Sequence, residues 1–143
     1  MLVHQADPAF FDCRSCMCAS LRRASRSLTK HYERAFRGSG LRATQFTLLA
    51  ILTQTGPLPM SSLANHAGLE RTTLTRNLGL LEAKGFVSVG STEGDQRVRR
   101  VELTPAGRAA AKKGLAAWRK AQVGVAALLR SYNFQILSAE PAN

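Results

Sequence analysis

Residues 60–84 read MSSLANHAGLERTTLTRNLGLLEAK, and the spacing of their apolar residues decides the fold. Leu63, Ala64 and Ala67 stand at i, i+1 and i+4 of a short helical run, behind Ser61 and Ser62 as candidate caps. Gly68 ends that run. A second helix is predicted from Glu70 to Lys84, because Leu74, Leu78 and Leu81 recur at spacings of four and three and form one apolar stripe. Gly85 supplies its C-terminal stop. The opposite face carries Thr72, Thr73, Thr75, Arg76 and Asn77, with Arg71 at the helix start and Ser61 on the preceding helix. These residues suit a helix in the DNA major groove. Threonine hydroxyls donate or accept at base edges and threonine methyls meet thymine methyls, asparagine pairs with adenine, and arginine takes guanine or a phosphate. The same face would also serve as ordinary solvated helix surface, so the flanking sequence has to decide.

Two β-prone runs follow, FVSV at 86–89 and VRRVEL at 98–103, on either side of GSTEGDQR at 90–97. They read as a hairpin with a long polar tip, a wing beside the two helices. Arg97 stands where such a tip enters a minor groove, whose narrow A·T tracts attract guanidinium groups. Asp95 would pair with an arginine and hold the loop, or the two would form a screened surface pair of little energetic worth. Thr104 and Pro105 then open another helix as cap and first residue.

In sequence and in register, SSLANHAGLERTTLTRNLGLLEAKGFV (61–87) and GDQRVRRVELTPAGR (94–108) resemble the MarR family of bacterial winged-helix transcription regulators. The likeness runs from about Cys18 to about Arg130. It implies a homodimer on a palindromic operator, and a small-molecule or redox signal that weakens DNA binding. It also places the first helix and the C-terminal helices in the dimer interface. The expected fold is mainly α with a small β-hairpin wing. One domain is expected over 1–143, with a winged helix-turn-helix module at 41–104 between dimerisation helices at about 8–40 and 105–143.

Outside the module, a long first helix is expected to begin at Asp7 or Asp12, with Pro8 at a first helical position, and to end at Gly38 or Gly40. Met17, Leu21, Ala24, Leu28 and Tyr32 form its apolar stripe, and Arg22, Arg23, Arg26, Lys30, Arg34 and Arg37 its other side. Such a stripe exceeds what so small a module can cover, which supports a dimer on physical grounds. Thr44 is a candidate cap for a helix through Gln54, with Phe46, Leu49, Ala50 and Leu52 as core, before Gly56 and Pro57 break it. The last helix runs through Leu115, Trp118, Ala121, Val125 and Leu129, weakened at Gly114 and Gly124 by about 1 kcal/mol each relative to alanine. Residues 130–143, RSYNFQILSAEPAN, depart from the family's longer final helix, and Tyr132, Phe134, Ile136 and Leu137 are left as a short docking element.

Charge fits an anionic partner. The 143 residues carry a formal charge of +11, a balance suited to nucleic acid. Yet residues 60–103 hold six Lys/Arg against five Asp/Glu, while residues 14–42 hold eight basic groups against Glu33 alone. The field therefore comes mainly from the first helix, with Arg108, Lys112, Lys113, Arg119 and Lys120 adding to it later.

The cysteines Cys13, Cys16 and Cys18 are a second chemical signal. A metal site is not expected, because Cys16 and Cys18 lie about 200° apart on a helix and His4, His31 and His66 complete no evident tetrahedral set. The first helix around Cys18 resembles that of OhrR, the organic-hydroperoxide-sensing branch of the MarR family, with Cys18 at the peroxide-reactive thiol and Tyr32 at one of the tyrosines beside it. Other aromatic positions of that branch are Arg22 and Ala43 here. A half-buried Cys18 near a hydroxyl and arginines would ionise and oxidise to a sulfenic acid, with Cys13 or Cys16 to resolve it; the alternative is a small hydrophobe filling a helix contact.

No nucleophile elbow, phosphate-binding glycine loop or zinc-binding HExxH is present, so neither enzyme activity nor a cofactor is expected. A winged-helix protein-interaction module is the remaining alternative, and the +11 charge weighs against it. The N-terminus lacks the pattern of a secretory leader and no run is long enough to span a membrane, so a cytoplasmic protein with reduced thiols is expected.

Overall fold

The computed structural model of the chain describes residues 6–92 and 95–132, with the side chains of residues 92 and 95–97 outside that description. A 3₁₀ helix over Pro8–Ser15 leads into α1 (Met17–Ala35), followed by α2 (Ala43–Thr55), β1 (Leu58–Pro59), α3 (Met60–Ala67) and α4 (Arg71–Ala83). Then come β2 (Val87–Thr92), β3 (Asp95–Leu103), α5 (Pro105–Val123) and α6 (Val125–Arg130). The fold is thus mainly helical with a small antiparallel wing.

The expected first helix is divided. Asp7 does act as a cap, its Oδ1 accepting from Ala9 N at 2.9 Å, but what it caps is the 3₁₀ segment. Cys16 leaves the helical region with ψ 113° while its N–H closes a turn onto Cys13 O, so α1 starts only at Met17. Asp12 caps nothing there. Along α1 only Ala24 is buried, and Leu21 keeps 45% of its surface exposed.

α2 begins at Ala43, and Thr44 is not its cap. Glu33 of α1 reaches across instead, accepting from Ala43 N at 3.0 Å, while Gln45 Oε1 accepts from Arg42 N at 3.1 Å. Two of the orphan donors of the helix start are thereby satisfied. Leu48 and Leu49 are both fully buried, as are Phe46 and Leu52, so α2 is apolar on more than one side and forms the centre of the core.

α3 follows Pro59 with no side-chain cap, so Ser61 and Ser62 lie inside its first turn instead of capping it. Gly68 ends α3 with φ 64°, the left-handed conformation that lets the chain turn within three residues into α4. Leu63, Leu74, Leu78 and Leu81 are buried against α2, as their spacing requires.

The wing differs from expectation in two ways. β2 and β3 extend into the expected tip, pairing from Val87↔Leu103 out to Thr92↔Asp95 with a register shift between Ser91 and Thr92. Ladder hydrogen bonds need only backbone, so the polar Gly90 to Thr92 run continues the strand. A third strand, β1, pairs Leu58 with Val101 and Pro59 with Arg100, giving the order β1-β3-β2. Arg100 fastens it by donating to Pro57 O at 3.0 Å.

Thr104 caps α5 as expected, its Oγ1 accepting from Gly107 N at 3.0 Å. Gly114 has a packing role: a Cβ there would stand 2.6 Å from Phe46 Cδ2, so the missing side chain lets α5 approach α2. Gly124 ends α5, and α6 returns over α1, where Ser27 hydrogen-bonds the Tyr132 hydroxyl. His31 of α1 bonds Ala121 O through Nε2 at 2.6 Å, a partner that requires the proton on that nitrogen. The docking element expected from Phe134 to Leu137 lies outside the described residues.

Candidate nucleic-acid interface

α4 is held by its leucines, and that fixes which residues it turns outward. With 100° per residue, the direction opposite Leu74, Leu78 and Leu81 falls between Thr72 and Arg76. Both are exposed. Thr75 and Thr73 flank this arc on either side. Thr75 is exposed, but its hydroxyl donates to Arg71 O at 2.9 Å, leaving it an acceptor and a methyl to offer. Asn77 leans toward the core, half-buried, with Nδ2 donating to Thr73 O at 2.9 Å. One of its two amide protons is thus already used. The five polar residues of the expected face are therefore unequal, with Thr72 and Arg76 foremost.

A cleft of about 490 Å³ opens between α3, α4 and β3. Ser61, Asn65, Arg71 and Arg99 supply its polar groups, over a floor that includes Met60 and Leu74. Ser61 and Arg71 were expected at the interface; Asn65 and Arg99 were not singled out. The signal for Arg99 was strand alternation, since it shares the face of β3 with Val101 and stands just beyond the buried edge. The backbone at Asp95 and Arg97 is strand, and their side chains lie outside the described residues.

The MarR family matches residues 41–98. The M. tuberculosis transcriptional regulator MosR, in a crystal structure with DNA, is 46% identical with a TM-score of 0.69, over 78% of this chain and 81% of that one. The chain belongs to the MarR family. A probable transcriptional regulator from Pseudomonas aeruginosa is 30% identical with a TM-score of 0.68, over 78% of this chain and 83% of that one. Reduced AbfR bound to DNA is 25% identical with a TM-score of 0.64, over 78% of each chain. No curated protein matches the chain significantly. This MarR-family protein is a DNA-binding transcriptional regulator, with α3, α4 and the wing as its winged helix-turn-helix.

The cysteine region departs from the expected environment. Cys13, Cys16 and Cys18 are free and exposed, so Cys18 is not half-buried within the chain. Tyr32 lies fourteen residues along the same helix, about 21 Å away at 1.5 Å per residue, so one chain does not bring the pair together. Arg22, standing where the OhrR branch has an aromatic residue, donates from Nη2 to Cys18 Sγ at 3.4 Å. Tyr32 instead donates to Gln122 Oε1 at 2.8 Å, and burial pushes its phenol above the usual 10.0, so it stays protonated at neutral pH.

Tyr32 also borders a cavity of about 440 Å³ between the helix-turn-helix and the long helices, lined by Leu28, Phe46, Thr47, Leu69 and Trp118 among others. Among the described residues no helix is long and apolar enough to cross a membrane.

Proposed function

We propose that this regulator acts as a homodimer on a palindromic operator, setting two α4 helices into successive major grooves about 34 Å apart with the wings in the flanking minor grooves. The DNA-binding module is residues 41–104, and dimerisation falls to the flanking stretches 8–40 and 105–143 of a single domain. One observation carries this reading: α4 turns Thr72 and Arg76 outward while three buried leucines lock its other face. The dimer is supported by apolar surface left outside the module, with Phe10 66%, Leu21 45% and Val123 86% exposed. Binding represses transcription in the cytoplasm, and a small-molecule or oxidative signal relieves it. The cavity beside Tyr32 and Trp118 lies where a small organic effector would bear on both the long helices and the reading head. Electrophoretic mobility shift on the protein's own upstream region tests the DNA reading. A salt-sensitive, sequence-selective shift is expected, and its absence sinks the proposal.

Arg97→Ala is expected to weaken operator binding and to lower the slope of log K against log salt by about one unit, the share of one phosphate contact. Titrations at several salt concentrations measure this. An unchanged slope together with unchanged affinity removes Arg97 from the interface.

The second reading makes Cys18 the oxidant sensor, supported by Arg22 against its sulfur. The Cys18 sulfur attacks the terminal oxygen of a hydroperoxide; the O–O bond breaks, the thiol proton passes to the departing oxygen, an alcohol leaves, and sulfur becomes a sulfenic acid. Hydroperoxide is then expected to release DNA from wild-type protein and not from Cys18→Ser. Equal release from both removes Cys18 from the sensing step.

A further inference from the structure

A cavity of about 570 Å³ lies at the junction of α1, the loop into α2 and the C-terminal end of α4, separate from the reading cleft and from the Tyr32 cavity. Its charged lining is Arg37, Arg42 and Lys84 against Glu33 alone. Glu33 is already engaged, one oxygen on Ala43 N and the other on Arg42 Nε at 3.1 Å. Arg42 meets Glu33 through Nε, and 73% of its side chain is exposed. Lys84 spends one of its three donors on Gly40 O at 2.6 Å. Several cationic donors therefore remain facing one space.

Gln45 is the deciding residue. It is the buried polar side chain of the core, 2% exposed, and it lines this same cavity. Its Oε1 is used on Arg42 N, whereas Nε2 has no protein acceptor among the described residues. No fully enclosed polar atom there is unsatisfied, so the amide nitrogen must reach the cavity. Open to the cavity, that donor is available to an acceptor placed there. Leu41 and the half-exposed Leu80 supply an apolar wall.

We propose that this cavity is a binding site for a small anion, a carboxylate or a phosphate, whose oxygens accept from Gln45 Nε2 and from the guanidinium and ammonium groups of Arg37, Arg42 and Lys84. Charge-assisted bonds of this kind are the strong ones, and arginine suits both oxyanions. An occupant would bridge the end of α1 to the capping residue of α4, where it joins a long helix to the reading helix. The site goes beyond the DNA-binding reading and is tested without DNA.

Titration calorimetry of the full-length protein with sodium benzoate and with sodium phosphate, at constant ionic strength, separates the two oxyanions. Saturable binding of one of them at one per chain is expected, weakened at least 10-fold by Arg37→Glu, an exposed substitution that leaves the core intact. Gln45→Met, which keeps the buried volume and removes the donor, is expected to weaken it as well, with folding checked by its melting curve. Absence of saturable binding for both anions up to 10 mM, or equal affinity in wild type and Arg37→Glu, overturns the proposal. So does a loss of DNA affinity and salt slope in Arg37→Glu without any anion binding, which would assign the cluster to DNA phosphates.

Discussion

Replacing Thr72 and Arg76 together with alanine is expected to abolish selective operator binding while leaving the fold intact. Both side chains point away from the leucines that hold α4, and both are exposed. Each base or phosphate contact of this kind is worth about 1–3 kcal/mol, so losing two weakens specific binding by about 30-fold to about 10⁴-fold. Competition with unrelated DNA separates the parts: loss of Arg76 alone lowers binding to every sequence, whereas loss of Thr72 lowers selectivity. Alanine exceeds threonine in helix propensity, so the thermal midpoint should hold or rise slightly. A double variant that retains operator selectivity would move the reading surface elsewhere, with Arg71 and Arg99 of the adjacent cleft next in line.

The contrast between α4 and the rest of the site shows how far the residues alone carry a reader. Leucines at four and three spacing fix a helix and its orientation, because burying three of them leaves little rotational freedom. What spacing cannot supply is the use a polar side chain makes of its own backbone. Thr75 and Asn77 share the polar character of Thr72, and it is their hydrogen bonds to Arg71 O and Thr73 O that set them apart. Long-range partners were equally hidden. Glu33 caps α2 from ten residues away, and β1 is a strand of two residues that alternation cannot announce. The division at Cys16 had no proline or glycine to mark it, only an extended backbone angle. Cys18 illustrates the opposite risk: the resemblance sets Tyr32 beside it, yet within one chain fourteen residues of helical rise separate the two groups by about 21 Å.

Gly107→Ala is expected to be the most damaging single substitution by size of change, one methyl group. A Cβ at this position would stand 1.9 Å from Phe86 O and 2.8 Å from Phe86 C, and those are backbone atoms that no rotamer change can move. The carbonyl is itself fixed, accepting from Thr104 N at 3.1 Å. Thr104 in turn donates to Gly85 O at 2.6 Å and accepts from Gly107 N, so the turn before β2 and the first turn of α5 form one bonded unit. To admit the methyl, α5 must lift away from the wing and break that unit, at a cost of about 3 kcal/mol or more. Against a total stability of about 5–15 kcal/mol this is a large fraction, and for a chain of this size it corresponds to a midpoint lower by about 6–12 °C. Gly114→Ala meets the Phe46 ring at 2.6 Å, but a ring edge can yield, so its loss should be smaller. Gly90→Ala, with nothing within 4 Å, is the control for glycine entropy alone. Urea denaturation of the three variants checks the order, and a Gly107→Ala midpoint equal to that of Gly90→Ala would mean α5 does not bear on the wing. Because Gly107 joins the base of the wing to the helix that leads out of it, its substitution should also cost operator affinity in proportion to the folded fraction lost, without altering sequence preference.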